Sequence, residues 1–138
     1  MNVLVIDGQG GGIGRQLIAL IKEELPGVAV HAVGTNSAAT SAMLKAGAES
    51  GATGENAVIV GCRRADVIVG PVGVVIADSL NGEISPAMAL AAAQSPAKRI
   101  LLPFNHCDNL IVGVGDFNPT TLVRSAVAEL RKIVEARA

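Results

Sequence analysis

Apolar and polar positions follow a repeating order along this chain. A short β-branched run meets a break at glycine or proline, and apolar residues then recur at helical spacing. The run Asn2-Val3-Leu4-Val5-Ile6-Asp7 breaks into Gly8-Gln9-Gly10-Gly11-Gly12-Ile13-Gly14 and continues as Arg15-Gln16-Leu17-Ile18-Ala19-Leu20-Ile21-Lys22-Glu23-Glu24. This pattern predicts a strand over 2–6 and a helix over about 12–24, stopped by Pro26-Gly27. A second strand, predicted over 28–33, leads into Gly34-Thr35-Asn36, where Asn36 or Ser37 caps an alanine-rich helix over about 37–47. Gly47 to Gly54 reads as a glycine-rich loop. Glu55 or Asn56 then opens a short helix ending on Arg63-Arg64, where cations suit the dipole.

Val67-Ile68-Val69 reads as a third strand closed by Gly70-Pro71. The stretch 72–80 reads as a short buried helix, with a strand as the alternative. Ser85-Pro86 opens a helix to about 95, and Arg99-Ile100-Leu101-Leu102 is the fourth strand. Leu110-Ile111-Val112-Gly113-Val114 reads as a fifth strand. The link before it, Pro103 to Asn109, is too short for a parallel crossover, so this last pair is expected to be antiparallel. Asn118-Pro119 opens a final helix with an apolar face of Leu122, Val123, Ala126, Val127, Leu130, Ile133 and Val134. The βα alternation predicts an α/β fold, a Rossmann-like three-layer α/β/α sandwich on a mostly parallel sheet of about five strands. One nucleotide-binding domain is expected over 1–138.

Composition narrows the partners. Two Phe and no Trp or Tyr leave the core to aliphatic residues, as suits a sheet covered on both faces. Net charge is −1 and the pI is about 6.1, with no basic stripe, so nucleic acid is not an expected partner. The chain begins on a strand and has no apolar run near ~18 residues, which predicts a cytoplasmic protein without a membrane segment. Cys62 and Cys107 are then expected as reduced thiols. A mean hydropathy of +0.48 and the small-residue helices point to a homo-oligomer, most simply a homodimer.

The candidate chemistry lies in loops that follow strands. In an open parallel sheet these loops gather at the carboxyl ends of the strands. They are the glycine loop, Gly34-Thr35-Asn36, Gly70-Pro71-Val72-Gly73 and Asn105-His106-Cys107-Asp108. Glycines before a helix N-terminus suit a phosphate or carboxylate. The predicted binding residues are Gly8, Gly10, Gly11, Gly12, Ile13, Gly14, Arg15, Thr35, Asn36, Gly70, Pro71 and Asn105, with Arg15 balancing ligand charge. Asp7 could hold Mg²⁺ or a ribose hydroxyl, or cap the glycine turn; the last reading is favoured. Asp78 and Ser79 could line the crevice or simply end a helix. His31, inside a strand, reads as structural. The catalytic candidates are His106, Asp7 and Cys107, although neighbours in sequence seldom aim at one atom. His106, Cys107 and Cys62 lack a fourth ligand, so no metal site is expected.

Gly8-x-Gly10 fits the first half of G-x-G-x-x-G, but Ile13 breaks the spacing. Gly8-x-x-x-Gly12-Ile13-Gly14 resembles the cofactor turn of short-chain dehydrogenases and reductases, over the first ~35 residues only. That resemblance implies Gly8, Gly12 and Gly14 beside the pyrophosphate of an NAD(P)-type cofactor. It does not extend to catalysis, because the family's Tyr-x-x-x-Lys needs a tyrosine this chain lacks. Its ribose-binding acid at the end of the second strand is replaced here by Gly34-Thr35-Asn36. No P-loop is present.

A wider resemblance rests on Val5 to Gly14, Gly34-Thr35-Asn36, Ala65-Asp66-Val67-Ile68-Val69-Gly70-Pro71 and Leu102-Pro103-Phe104-Asn105. Through these residues the chain resembles a small uncharacterised Rossmann-like family, a domain of unknown function found chiefly in anaerobic bacteria. The resemblance implies a fold and a shared site, and no activity. The expected function is binding of a nucleotide or dinucleotide through the loop of residues 8–14, in a sensing or regulatory role. One alternative is a small enzyme acting on a phosphorylated or carboxylated metabolite, with Asp7, Asn105 and His106 at the site. The other is an interaction subunit whose rim binds nothing.

Overall fold

The computed structural model describes residues 1–104, 108–115 and 118–138. Five strands are present: β1 (Asn2–Asp7), β2 (Ala29–Gly34), β3 (Ser50–Thr53), β4 (Val67–Pro71) and β5 (Lys98–Leu102). Five α-helices accompany them: α1 (Gly12–Glu24), α2 (Ser37–Lys45), α3 (Glu55–Arg64), α4 (Pro86–Gln94) and α5 (Pro119–Ala136). The strands form one sheet in the order β3-β2-β1-β4-β5, and every pair is parallel.

Strand alternation divides the apolar residues between two cores. Val3 and Val5 point to one face with Val30 and Val69, against Leu17, Ile18 and Ile21 of α1, Met43 of α2 and Val127 and Leu130 of α5. Leu4, Ile6 and Ile68 point to the other, against Val58 and Cys62 of α3 and Met88 and Ala92 of α4. Sheet and helices therefore make three layers, and each fully buried Leu or Ile contributes roughly 1.5–3 kcal/mol. The helix starts follow their caps. Asn36 Oδ1 accepts from Ala39 N at 2.9 Å, Ser85 Oγ from Met88 N at 3.2 Å and Asn118 Oδ1 from Thr121 N at 2.8 Å.

The sheet departs from the sequence reading in three places. The expected loop over 47–54 contains β3, which pairs with β2 from His31↔Ser50 to Gly34↔Thr53. All four β3 residues are exposed, so backbone hydrogen bonds hold this edge strand and no apolar alternation announced it. The expected antiparallel strand at 110–114 is absent: Leu110 and Val112 are 92% and 97% exposed there. Its apolar character found no sheet neighbour, and all five strands run parallel.

Gly70-Pro71 also does not break its strand. The β1 pairing ends at Val5↔Val69, while Pro71 still registers with Leu102, so the missing proline N–H lies beyond the β1 ladder. The stretch 72–80 is neither a full helix nor a strand; a single 3₁₀ turn, Val72–Val75, gives way to turns. Among the described residues no helix is long and apolar enough to cross a membrane.

Candidate functional site

The glycine loop leaves β1 at the point where the chain's strand order turns, since β1 is flanked by β2 on one side and β4 on the other. Asp7, the last residue of β1, is 3% exposed. Its Oδ1 accepts from Gly8 N at 2.8 Å and its Oδ2 from Gly14 N at 2.7 Å. The carboxylate therefore ties the loop to the first turn of α1. Burial raises the Asp7 pKa, against the lowering effect of those N–H donors, and nearby Glu83 raises it further. With both oxygens engaged, Asp7 serves the turn and offers little to a cation or a reacting centre.

The glycines fall into two groups. Gly11 has φ +74°, and a Cβ on it would lie 2.9 Å from Ala39 Cα. A Cβ on Gly8 would lie 2.5 Å from Thr35 Oγ1, and one on Gly14 2.5 Å from Met43 Sδ. The chain's own packing demands these three. Gly10 and Gly12 differ: both are exposed, neither has left-handed backbone, and a Cβ on either would meet nothing within 4 Å. The space in front of them, at the start of α1, is open.

Glu83 is the residue that sequence reasoning missed. Its Oε1 accepts from Gln9 N at 2.9 Å, Thr35 Oγ1 at 2.5 Å and Asn36 Nδ2 at 2.8 Å. These donors, the Thr35 hydroxyl first, hold its carboxyl below the usual range. Its Oε2 has no protein partner among the described residues. The loop before α4 delivers it, anchored by Leu80 and Ile84, 1% and 0% exposed. Asp78 N donates to Ile84 O at 2.7 Å, and buried Ser79 Oγ donates to Gly73 O. Ser79 is thus a strut of this loop, while Asp78 is exposed. Asp78, Leu80 and Asn81 all take left-handed backbone, with φ of 68°, 56° and 56°. Such strain costs on the order of 1 kcal/mol or more per residue and persists only where packing fixes it. The one clue in the sequence was the acid missing from the end of β2, which a distant segment supplies.

Thr35 and Asn36 do meet the glycine loop, and Asn36 Nδ2 also donates to Gln9 O at 2.9 Å. Ile13 is half-buried against the α1-side core, and exposed Arg15 forms no ion pair or side-chain hydrogen bond among the described residues. Gly70 and Pro71 are buried at the carboxyl end of β4. A Cβ on Gly70 would run into the Ile6 carbonyl oxygen, so this glycine serves strand packing. Asn105, His106 and Cys107 lie outside the described residues. Among the described residues no group of His, Cys, Asp and Glu is placed to hold a metal ion. Cys62 is a buried core residue whose thiol pKa is pushed up to about 11 by desolvation.

Comparison with known proteins places the chain in a family and beside solved α/β structures. A family model described as a domain of unknown function (DUF3842) matches residues 2–135. No curated protein matches the sequence. Among solved structures, a dodecameric FMN-dependent UbiX-like decarboxylase from Escherichia coli O157:H7 is 17% identical, with a TM-score of 0.46. The match covers 92% of this chain and 75% of that one.

Proposed function

We propose that this chain, which belongs to the DUF3842 family of unknown function, binds a nucleotide or dinucleotide of the NAD(P) type at residues 8–14, as a sensor or regulator. One observation carries the reading. Gly10 and Gly12 have neither the backbone strain nor the crowding that explains Gly8, Gly11 and Gly14 of the same loop, and they border open space at a helix N-terminus. Glycine at such positions lets a ligand's phosphate approach the backbone, where N–H groups and the helix dipole favour negative charge. Arg15, one turn into α1 and without an ion partner among the described residues, adds a cation.

Glu83 supports a ligand with free hydroxyls. A carboxylate beside the end of β2, with one oxygen unpaired among the described residues, accepts from a ribose diol and repels a phosphate on that ring. The reading therefore favours NAD-like ligands and unmodified nucleotides over NADP. A homo-oligomer in the cytoplasm is proposed as its setting.

A thermal-shift panel of NAD, NADP, FMN, AMP, ADP and ATP, with and without Mg²⁺, tests this. A ligand present at about 100 times its Kd stabilises the fold by roughly 2.7 kcal/mol, several degrees in Tm. The expected result is a shift with a nucleotide carrying a free ribose diol, lost in Gly12→Val while the ligand-free Tm holds. No shift with any member of the panel would sink the proposal.

A further inference from the structure

A second opening lies on the other face of the sheet and shares no residue with the glycine rim. It is a cavity of about 400 Å³ between α3 and strands β1, β2 and β3. That volume lies within the roughly 300–1,000 Å³ typical of small-molecule sites. Leu4, Val33 and Ala52 line it from the sheet, and Ala57 and Val60 from α3. Gly61 brings α3 down onto β1, since a Cβ there would already stand 3.0 Å from Leu4 Cδ2. The helix thus closes the cavity on its β1 side.

The polar groups around this apolar space are two neutral side chains, an imidazole and a guanidinium. Asn2, His31, Ser50 and Arg64 line it, and no acid does. His31 Nδ1 and Ser50 Oγ are 2.7 Å apart, which fixes the imidazole and leaves Nε2 for another partner. Arg64, exposed in the last turn of α3, makes no ion pair or side-chain hydrogen bond among the described residues. The carboxyl end of α3 contributes a partial charge of only roughly −0.5, smaller than the full charge of the guanidinium. The lip therefore carries one cation, Arg64, while Asp66, which accepts from the Asn2 N–H at 2.7 Å, is paired with Arg137.

We propose that this cavity binds a small apolar carboxylate, a branched-chain or aryl acid. Its hydrocarbon body fills the space over Leu4 and Val33, and its carboxylate pairs with Arg64 and His31. Guanidinium matches a carboxylate in geometry as well as charge. The inference is independent of the nucleotide reading.

The test titrates phenylacetate and its neutral isostere phenylacetamide into the full-length protein, followed by backbone amide chemical shifts. Phenylacetate is expected to move the Ala52, Ala57 and Val60 amides saturably, and the amide compound to bind at least tenfold more weakly. Arg64→Gln should weaken phenylacetate at least tenfold without changing the Tm. Ala57→Leu, which fills the cavity from a half-buried position on α3, should abolish binding, while Gly12→Val should leave it intact. Absence of saturable shifts at these amides, equal affinity for acid and amide, or binding that survives both Arg64→Gln and Ala57→Leu would overturn the proposal. So would copies of the chain that associate in sedimentation, separate in Ala57→Leu and bind no acid.

Discussion

The Thr35 hydroxyl donates to Glu83 Oε1 at 2.5 Å, joining two residues 48 positions apart in the chain. The same oxygen takes the Gln9 N–H and the Asn36 amide, so one carboxylate clasps the ends of the first two strands' loops. Glu83 sits on a loop in which three non-glycine residues, Asp78, Leu80 and Asn81, take left-handed backbone.

Removing that charge tests the clasp. Glu83→Gln keeps the length but loses the charge-assisted bonds, and should cost about 1 kcal/mol at pH 7 in urea denaturation. The Glu83 carboxyl lies below its ordinary value of 4.5 in the folded protein. Its contribution is therefore present above that value and is lost as the pH falls through the lower folded pKa. The gap between wild type and variant should shrink in acid. A gap that stays constant down to pH 3 would contradict the assignment.

Asp7 runs the opposite way. Its folded pKa is raised above 3.8, chiefly by burial, so its protonation favours the native state. That contribution is complete below 3.8 and disappears as the pH rises through the folded value. Asp7→Asn should abolish this component of the pH profile. At pH 7 it should also destabilise by about 1–3 kcal/mol, because an amide NH₂ would face a backbone donor at Gly8 or Gly14. An unchanged pH profile in the variant would disprove the point.

The glycines should separate cleanly in stability. Gly70→Ala drives a Cβ into the Ile6 carbonyl, a backbone atom that cannot step aside, and should cost about 3 kcal/mol or more. Gly12→Ala meets open space and gains helix propensity, so it should be neutral or stabilising by up to about 1 kcal/mol. Comparable losses in both would refute the division between packing glycines and open ones.

Cys62 should be chemically silent. With its pKa pushed up to about 11 and its side chain buried, it carries almost no thiolate at pH 8. In a Cys107→Ser background, iodoacetamide should modify Cys62 only at the rate at which the protein opens. Modification as fast as that of a free thiol would show that the core around α3 is not closed.

The sequence by itself determined what is local. The β-branched runs, the periodicity of α1 and α5, the caps Asn36, Ser85 and Asn118 and the place of the glycine loop were legible because each depends on residues a few positions apart. Thr35 and Asn36 were legible as rim residues for the same reason: they follow a strand. Only the tertiary structure decided what depends on distant partners. β3 is an exposed strand of small residues that exists because β2 offers it a ladder. Leu110 to Val114 is apolar yet pairs with no strand, because apolar character does not specify a neighbour. Gly70 packs against the β1 backbone at Ile6. Glu83 reaches the glycine loop from 74 residues beyond Gln9. Periodicity records which face of an element is buried; it carries no record of which distant hydrogen-bonding group will arrive there.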